Sequence, residues 1–233
     1  MNRITDLGRF VSTRDCLHQI AEHVVAKVRY ETDGKVGLTA FGGGFATPLL
    51  PSGRRVLVVA DWLIVDDVST QLTSVAAAAR AAGVEPGFPA ELYPPATSFE
   101  PTRSLDIDAD SASALGEWFD FTASVLRDFA TEVPEGSPSE LILWPEHFDQ
   151  AFFTEETEES HCANYGASPG DAGHPEPYLY VGPWGVVTVD DYWSATHFNG
   201  AVLSHSNLVD STDPREVALQ FLRDGRSLLL GIA

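Results

Sequence analysis

The sequence predicts an α+β fold, an antiparallel sheet flanked by about three to four helices. Two observations carry this. Alternating apolar segments follow one another through short turns without regular helical crossovers, and three longer stretches show apolar stripes at helical spacing. With 233 residues, 44% hydrophobic and 21% charged, the chain has enough apolar side chains for a substantial core. No internal repeat of domain-building length is visible.

The elements follow in chain order. Thr13 or Ser12 is a candidate cap for a first helix running to about Tyr30, with Leu17, Ile20, Val24 and Val28 on its core stripe. Val36 to Phe41 alternates like a strand, and Arg54 to Val65 has the pattern of a hairpin turning near Asp61. An alanine-rich helix is expected over Ser74 to Ala82, with Gly83 at its end. Pro86, Pro89, Pro94, Pro95 and Pro101 rule out regular structure over residues 84–104. That segment is either a covering loop or a weak boundary in what is otherwise expected to be a single domain spanning 1–233.

Asp110 is a candidate cap for the next helix, which carries Leu115, Trp118, Phe119, Thr122, Leu126 and Phe129 on one stripe and meets Pro134 at its end. Strands are expected at 139–144, 161–166, 177–182 and 198–204. Asp213, Pro214 and Glu216 open the last helix as cap, first residue and capping-box partner, ahead of Ala218, Phe221, Leu222 and Leu229.

Charge narrows the functional classes. Lys and Arg number 14 against 34 Asp and Glu, a net charge of −20. That balance argues against nucleic-acid phosphates and anionic membrane surfaces as partners. Residues 1–100 carry 9 basic and 11 acidic side chains, whereas residues 101–233 carry 5 and 23. The 87 residues between Arg127 and Arg215 hold no Lys or Arg, 16 Asp or Glu, and five of the seven histidines. Such a stretch offers no clamp for a phosphate or carboxylate and suits a cation, an amine or a neutral molecule better; a solvated acidic surface is the plainer alternative. The opening MNRITDLGRF has no apolar run of secretory type, and no stretch is long enough to span a bilayer, so a cytoplasmic location is expected. Cys16 and Cys162 fit two reduced thiols.

Several motifs have plain explanations. Gly42-Gly43-Gly44 lacks the following Lys-Ser/Thr and the opening helix of a phosphate loop, which leaves a flexible or close-packed turn. His18 and Glu22 stand one helical turn apart as an i,i+4 pair, and His23 points about 140° away from His18. Cys162 beside His161 lies in surroundings too negative to activate a thiol, and no Gly-x-Ser-x-Gly elbow occurs. Glu155-Glu156 and Glu158-Glu159 are expected on an exposed loop.

The informative stretch is 141–184. If the strand continues through Pro145, alternation puts His147 and Asp149 on one face. Ser168-Pro169-Gly170-Asp171 has the signature of a type II turn that leaves Asp171 at the rim, with His174 on the turn and Glu176, Tyr178 and Tyr180 on one face of the next strand. One sheet end would then gather His147, Asp149, Asp171 and Glu176 as catalytic candidates, walled by Tyr165, Tyr178, Tyr180 and Trp184 as substrate-binding candidates. His147, Asp149 and His174 would be the ligands of a divalent metal, since two imidazoles and a carboxylate suffice for zinc, iron or manganese with positions left open. A bound metal, a metal-free polar pocket and a purely structural hydrogen-bonded network are the three readings of that cluster. Two function classes follow. One is a small-molecule enzyme using acid–base or metal-assisted chemistry; the other is a non-catalytic ligand-binding or protein-interaction module.

Leu143-Trp144-Pro145-Glu146-His147-Phe148-Asp149-Gln150-Ala151 resembles a W-P-x-H-F-D-x-A motif. Ser168 to Asp171 followed by Pro175 to Val181 resembles its S-P-G-D and P-E-P-Y-x-Y-V partner. Both are similar to motifs of a bacterial domain-of-unknown-function family common in high-GC Gram-positive bacteria, and the excess of Arg over Lys (12 against 2) fits that origin. The resemblance implies a cytoplasmic protein and supports the choice of motif; it implies no reaction.

Overall fold

The computed structural model describes residues 2–89, 91–133, 135, 137–156, 158, 161–232. The fold is α+β with two antiparallel sheets rather than one. The chain divides into two compact units, one of residues 2–120 and 142–149, the other of residues 121–141 and 150–233. The division falls inside a helix, at the start of one strand and after the first residue of another, and the proline-rich segment at 84–104 belongs wholly to the first unit.

In the first unit, α1 (Leu7–Ile20) begins at Asp6, whose carboxylate accepts the Arg9 amide, ahead of the Ser12 or Thr13 expected from sequence. Asp6 satisfies a first-turn N–H that neither later residue can reach. The helix widens into a π turn over Ala21–Val25 and continues as α2 (Ala26–Asp33), closed by left-handed Gly34. Leu17, Ile20, Val24 and Val28 are all buried, as their spacing predicts.

A meander of β1 (Thr39–Ala40), β2 (Gly44–Ala46), β3 (Val56–Val59), β4 (Trp62–Val65) and β5 (Val68–Gln71) follows in sequential order. The β3–β4 hairpin turns at Ala60 and Asp61 as expected. The unforeseen β4–β5 hairpin turns on Asp66 and Asp67, both at positive φ (49° and 66°), the backbone a two-residue type I′ turn needs and one that Asp tolerates. The triple glycine is the close-packed turn. An added Cβ on Gly44 would lie 1.9 Å from the Val58 carbonyl oxygen, and one on Gly116 of the facing helix 1.8 Å from that of Gly43. Helix α3 (Val75–Ala82) runs from the Ser74 cap to Gly83.

Helix α4 (Ala109–Glu132) crosses the division, and its cap is Asp108 rather than Asp110, accepting the Ser111 amide and hydroxyl. Its expected stripe is buried from Leu115 to Phe129. Pro134 lies outside the described residues. β6 (Ile142–Trp144) meets Leu38 through an antiparallel bridge at Leu143.

In the second unit, β7 (Asp149–Thr154, of which Asp149 counts with the first unit), β8 (Ala163–Ser168), β9 (Tyr178–Pro183) and β10 (Ala201–Ser204) pair antiparallel in chain order. Helices α5 (His205–Val209) and α6 (Pro214–Leu230) follow; Asp213 caps α6 by accepting the Glu216 amide. Tyr165, Ala167, Leu179 and Val181 face the core, where Tyr165 rests against Phe152 and Phe129 at 5.6 and 5.0 Å. Glu156, expected on an exposed loop, is instead largely buried and paired with Arg226 at 2.6 Å. Glu158 is exposed, and Glu159 lies outside the described residues.

Candidate functional site

The strand expected through Pro145 ends at Trp144. Residues 145–148 form a turn closed by the Phe148 amide donating to the Trp144 carbonyl at 2.7 Å, with Phe148 at φ 53°. A left-handed conformation costs a side-chain-bearing residue roughly 1–2 kcal/mol. Burying a phenylalanine returns about 1.5–3 kcal/mol, before its ring pairs are counted. Phe148 is 1% exposed, stacks on His18 at 5.0 Å and meets Phe45 and Phe119 edge-on, so burial wins and the alternation breaks. His147 is left exposed on the turn and Asp149 is buried, so the two do not share one face as strand alternation required. Both belong to the first unit, whereas Asp171, His174 and Glu176 belong to the second.

The second unit does gather most of the remaining candidates. The β8–β9 connection bends at Gly170, whose φ of 96° suits the third position of a type II turn. Asp171 then organises the loop. Its Oδ1 accepts the Gly173 and His174 amides at 2.6 and 2.9 Å, and its Oδ2 accepts the Tyr178 hydroxyl at 2.5 Å. Burial pushes the Asp171 carboxyl up, but the bonds from Tyr178, His174 and Gly173, with His197 alongside, outweigh it and hold it below the usual carboxylate range. His197 Nε2 lies 3.8 Å from Asp171 Oδ2. Gly173 permits this approach, because a Cβ there would sit 3.0 Å from the His197 ring.

His174 is the centre of the other half. Its Nε2 is 3.0 Å from Ser204 Oγ and 3.8 Å from Glu176 Oε1. Glu176 in turn accepts the Ser206 amide and hydroxyl at 3.1 and 3.2 Å, closing the first turn of α5. The register explains why Ser204 arrives there: it lies directly opposite Tyr178, so both project from the same face of the sheet. Tyr178 meets His174 edge-on at 4.9 Å, His197 lies 5.9 Å from Tyr178, and Tyr180 lies across Gly166 against Phe198. The His174 and His197 side chains remain 23% and 24% exposed, within reach of solvent.

Tyr165 does not join this face; it points into the core, and burial pushes its phenol up to about 12. Trp184 is half-exposed, with its indole N–H donating to Asn164 and its ring against Phe153. His197, Ser204 and Ser206 escaped sequence reasoning. The 198–204 strand was legible, but its register, which would have flagged Ser204, was not.

The geometry limits the chemistry. Among the described residues, no group of three or more His, Cys, Asp or Glu is placed to hold a metal ion, so the expected ligand set His147, Asp149 and His174 is not assembled. Nor is Ser204–His174–Glu176 a nucleophilic relay. There a carboxylate orients the ring nitrogen opposite the serine, whereas here hydroxyl and carboxylate both approach Nε2. What remains is a half-open face with two imidazoles, two anchored carboxylates and two serine hydroxyls.

A second constellation, in the first unit, was not foreseen as such. Glu22 and His23 sit on the π turn with fully buried side chains. Glu22 does not bond His18, whose Nε2 lies 2.7 Å from the Pro145 carbonyl. Glu22 instead accepts the Ala96 and Thr97 amides and the Thr97 hydroxyl, at 2.8, 2.9 and 2.6 Å. The π turn is the missed signal: the period-3.6 reading kept His18 and Glu22 paired across a turn that the extra residue rearranges.

Both cysteines are free, and no helix among the described residues is long and apolar enough to cross a membrane. No family model, no curated protein and no solved structure matches this chain.

Proposed function

We propose that the β9–β10 end of the second unit is a binding site for a small amine-bearing or neutral hydroxylated molecule, with His174 as the group that exchanges a proton with it. The observation that carries this is the His174 Nε2–Ser204 Oγ contact of 3.0 Å on a half-open face, beside two carboxylates already fixed by hydrogen bonds. Imidazole is the side chain best suited to proton exchange near neutral pH, and a serine hydroxyl can both donate to and accept from a ligand. The ligand class follows from charge. Asp171 and Glu176 face the site, and the chain between Arg127 and Arg215 has no Lys or Arg with which to clamp an anion.

The test is a thermal-shift screen of primary amines and polyols against wild type, His174→Ala and Ser204→Ala. Both variants should keep their fold, because each side chain is partly exposed and carries little packing. At least one compound class should raise the wild-type Tm, with the shift lost in both variants. A ligand shift that survives His174→Ala would refute the assignment. A large destabilisation of both unliganded variants, with no compound stabilising wild type, would establish the network as purely structural.

A further inference from the structure

We propose that the proline-rich segment formed by residues 84–89 and 91–104 is an acid-released strap, latched on the adjacent Glu22 and His23 of the π turn and freed when His23 takes up a proton. Six hydrogen bonds tie the strap to these two residues. The Gly87 amide donates to the His23 carbonyl at 3.1 Å and the Phe88 amide to His23 Nδ1 at 3.2 Å. The Ala96 amide, Thr97 amide and Thr97 hydroxyl all donate to Glu22, and Thr97 Oγ1 lies 2.9 Å from His23 Nε2.

The donor count fixes the imidazole state. A backbone amide can only donate, so Nδ1 must present its lone pair to Phe88. The ring proton is then on Nε2, which donates to Thr97 Oγ1, and the Thr97 hydroxyl passes its own hydrogen to Glu22. The chain is satisfied with one proton on the ring and with no more. A second proton would place an N–H at Nδ1 against the Phe88 N–H at 3.2 Å, two donors facing each other in a site without solvent. Relief requires the Phe88 amide to leave, and the strap with it.

The surroundings favour this outcome. On the π turn itself, Glu22 stands 3.7 Å from His23 and would stabilise an imidazolium, but its oxygens are already taken by the strap. From the strap, the Phe99 ring covers His23 at 4.9 Å, and Tyr93 lies near Glu22 and Glu146. Helix α3 packs on the π turn with Ala78, Ala79 and Ala82 buried and Arg80 exposed. On α1, His18 is engaged with the Pro145 carbonyl. Burial holds the His23 ring below its ordinary range despite Glu22, in keeping with a neutral latch. Prolines stiffen the strap, so it can detach as a unit without a long disordered intermediate. Detachment would uncover Glu22 and His23, which solvent does not reach in the latched form.

Amide hydrogen exchange read by mass spectrometry tests this on the intact protein at pH 7.5 and 5.5, corrected for intrinsic rates, with α4 peptides as the control for global opening. In wild type, protection across residues 86–89 and 91–97 should fall about tenfold for each pH unit below the release point, through an opening that leaves α4 far more protected than the strap at both pH values. His23→Gln, whose amide oxygen can still accept from Phe88, should remove the pH dependence. Glu22→Gln should loosen the strap at both values. Equal strap protection at the two pH values, a strap no less protected than α4, or a pH-dependent fall that persists in His23→Gln would each overturn the proposal. Should His23→Gln fail to fold, the wild-type comparison with α4 decides alone.

Discussion

Gly116→Ala sets two well-known effects against each other, and the structure decides the sign. In a helix interior, Ala is favoured over Gly by roughly 1 kcal/mol, so a helix with free space at that position would be stabilised. Gly116, however, faces the triple-glycine turn. An added Cβ would lie 1.8 Å from the Gly43 carbonyl oxygen and 2.4 Å from its carbon. The obstacle is backbone, not the tip of a flexible side chain, and the turn has little room to retreat. Gly44 pairs with Val59 in the β2–β3 ladder, close against the Val58 carbonyl, and the Gly43 amide is bonded to Asp120 at 2.9 Å. Separating the atoms to normal contact needs a shift of well over an ångström, which strains that bond and the first β2 pair. Overpacking of this kind costs about 1–3 kcal/mol, more where backbone must move. The net expectation is destabilisation by about 0–2 kcal/mol once the helix preference is subtracted, at the upper end because backbone must move. Urea unfolding followed by Trp fluorescence measures it. A Gly116→Ala protein more stable than wild type would show that the glycine turn is not packed against α4 and refute the close-packing account.

Tyr178→Phe removes the hydrogen bond to Asp171. Because the carboxylate is 41% exposed and water can replace the hydroxyl, the cost should be only about 1 kcal/mol, near 2–4 °C in Tm, while the Asp171 carboxyl moves upward in an NMR titration; an unmoved carboxyl would contradict the assigned network. Arg226→Met strands the largely buried Glu156 and should cost about 2–4 kcal/mol by denaturant unfolding. Adding Glu156→Leu should recover most of that loss, and failure to recover would mean the pair is not the source. His18 and His23 are both held below their ordinary value by burial, so the unfolded chain binds more protons than the native one once pH drops below about 6.5. Stability should therefore be flat above that pH and decline on acidification by up to about 1.4 kcal/mol per pH unit for each group; a fold equally stable at pH 5 and 7.5 would contradict their burial.

Fold class was legible because it rests on local pattern. The stripes of α1 and α4, the Ser74–Gly83 and Asp213–Glu216 helix signals, and the hairpin at Asp61 all depend on residues close in sequence. Helix starts were missed by nearly two turns at α1 and by two residues at α4, where an upstream Asp (Asp6, Asp108) outcompeted the expected cap. The β1–β5 meander of the first unit was only partly visible, because its β4–β5 turn is made by two aspartates in the left-handed region rather than by an Asn-Gly or Gly-Gly pair. For the site, the turn signature placed Asp171 and His174 and alternation placed Tyr178 and Tyr180, whereas Glu176, expected on the strand, precedes it and reaches Ser206 from the loop. His147 was not, because the demand of the distant Phe45 and Phe119 for the Phe148 ring converts a strand into a turn. Ser204 and His197 depend on register and on a loop path, neither of which is written in local sequence.

The most direct test of the account is a ¹H–¹⁵N chemical-shift titration of the protein with the amine or polyol that gives the largest thermal stabilisation. Perturbations concentrated on residues 171–178, His197 and Ser204 to Ser206, saturating together and absent from His174→Ala, are the predicted result. Saturating shifts centred on any other surface, or shifts on these residues that persist unchanged in His174→Ala, would contradict it.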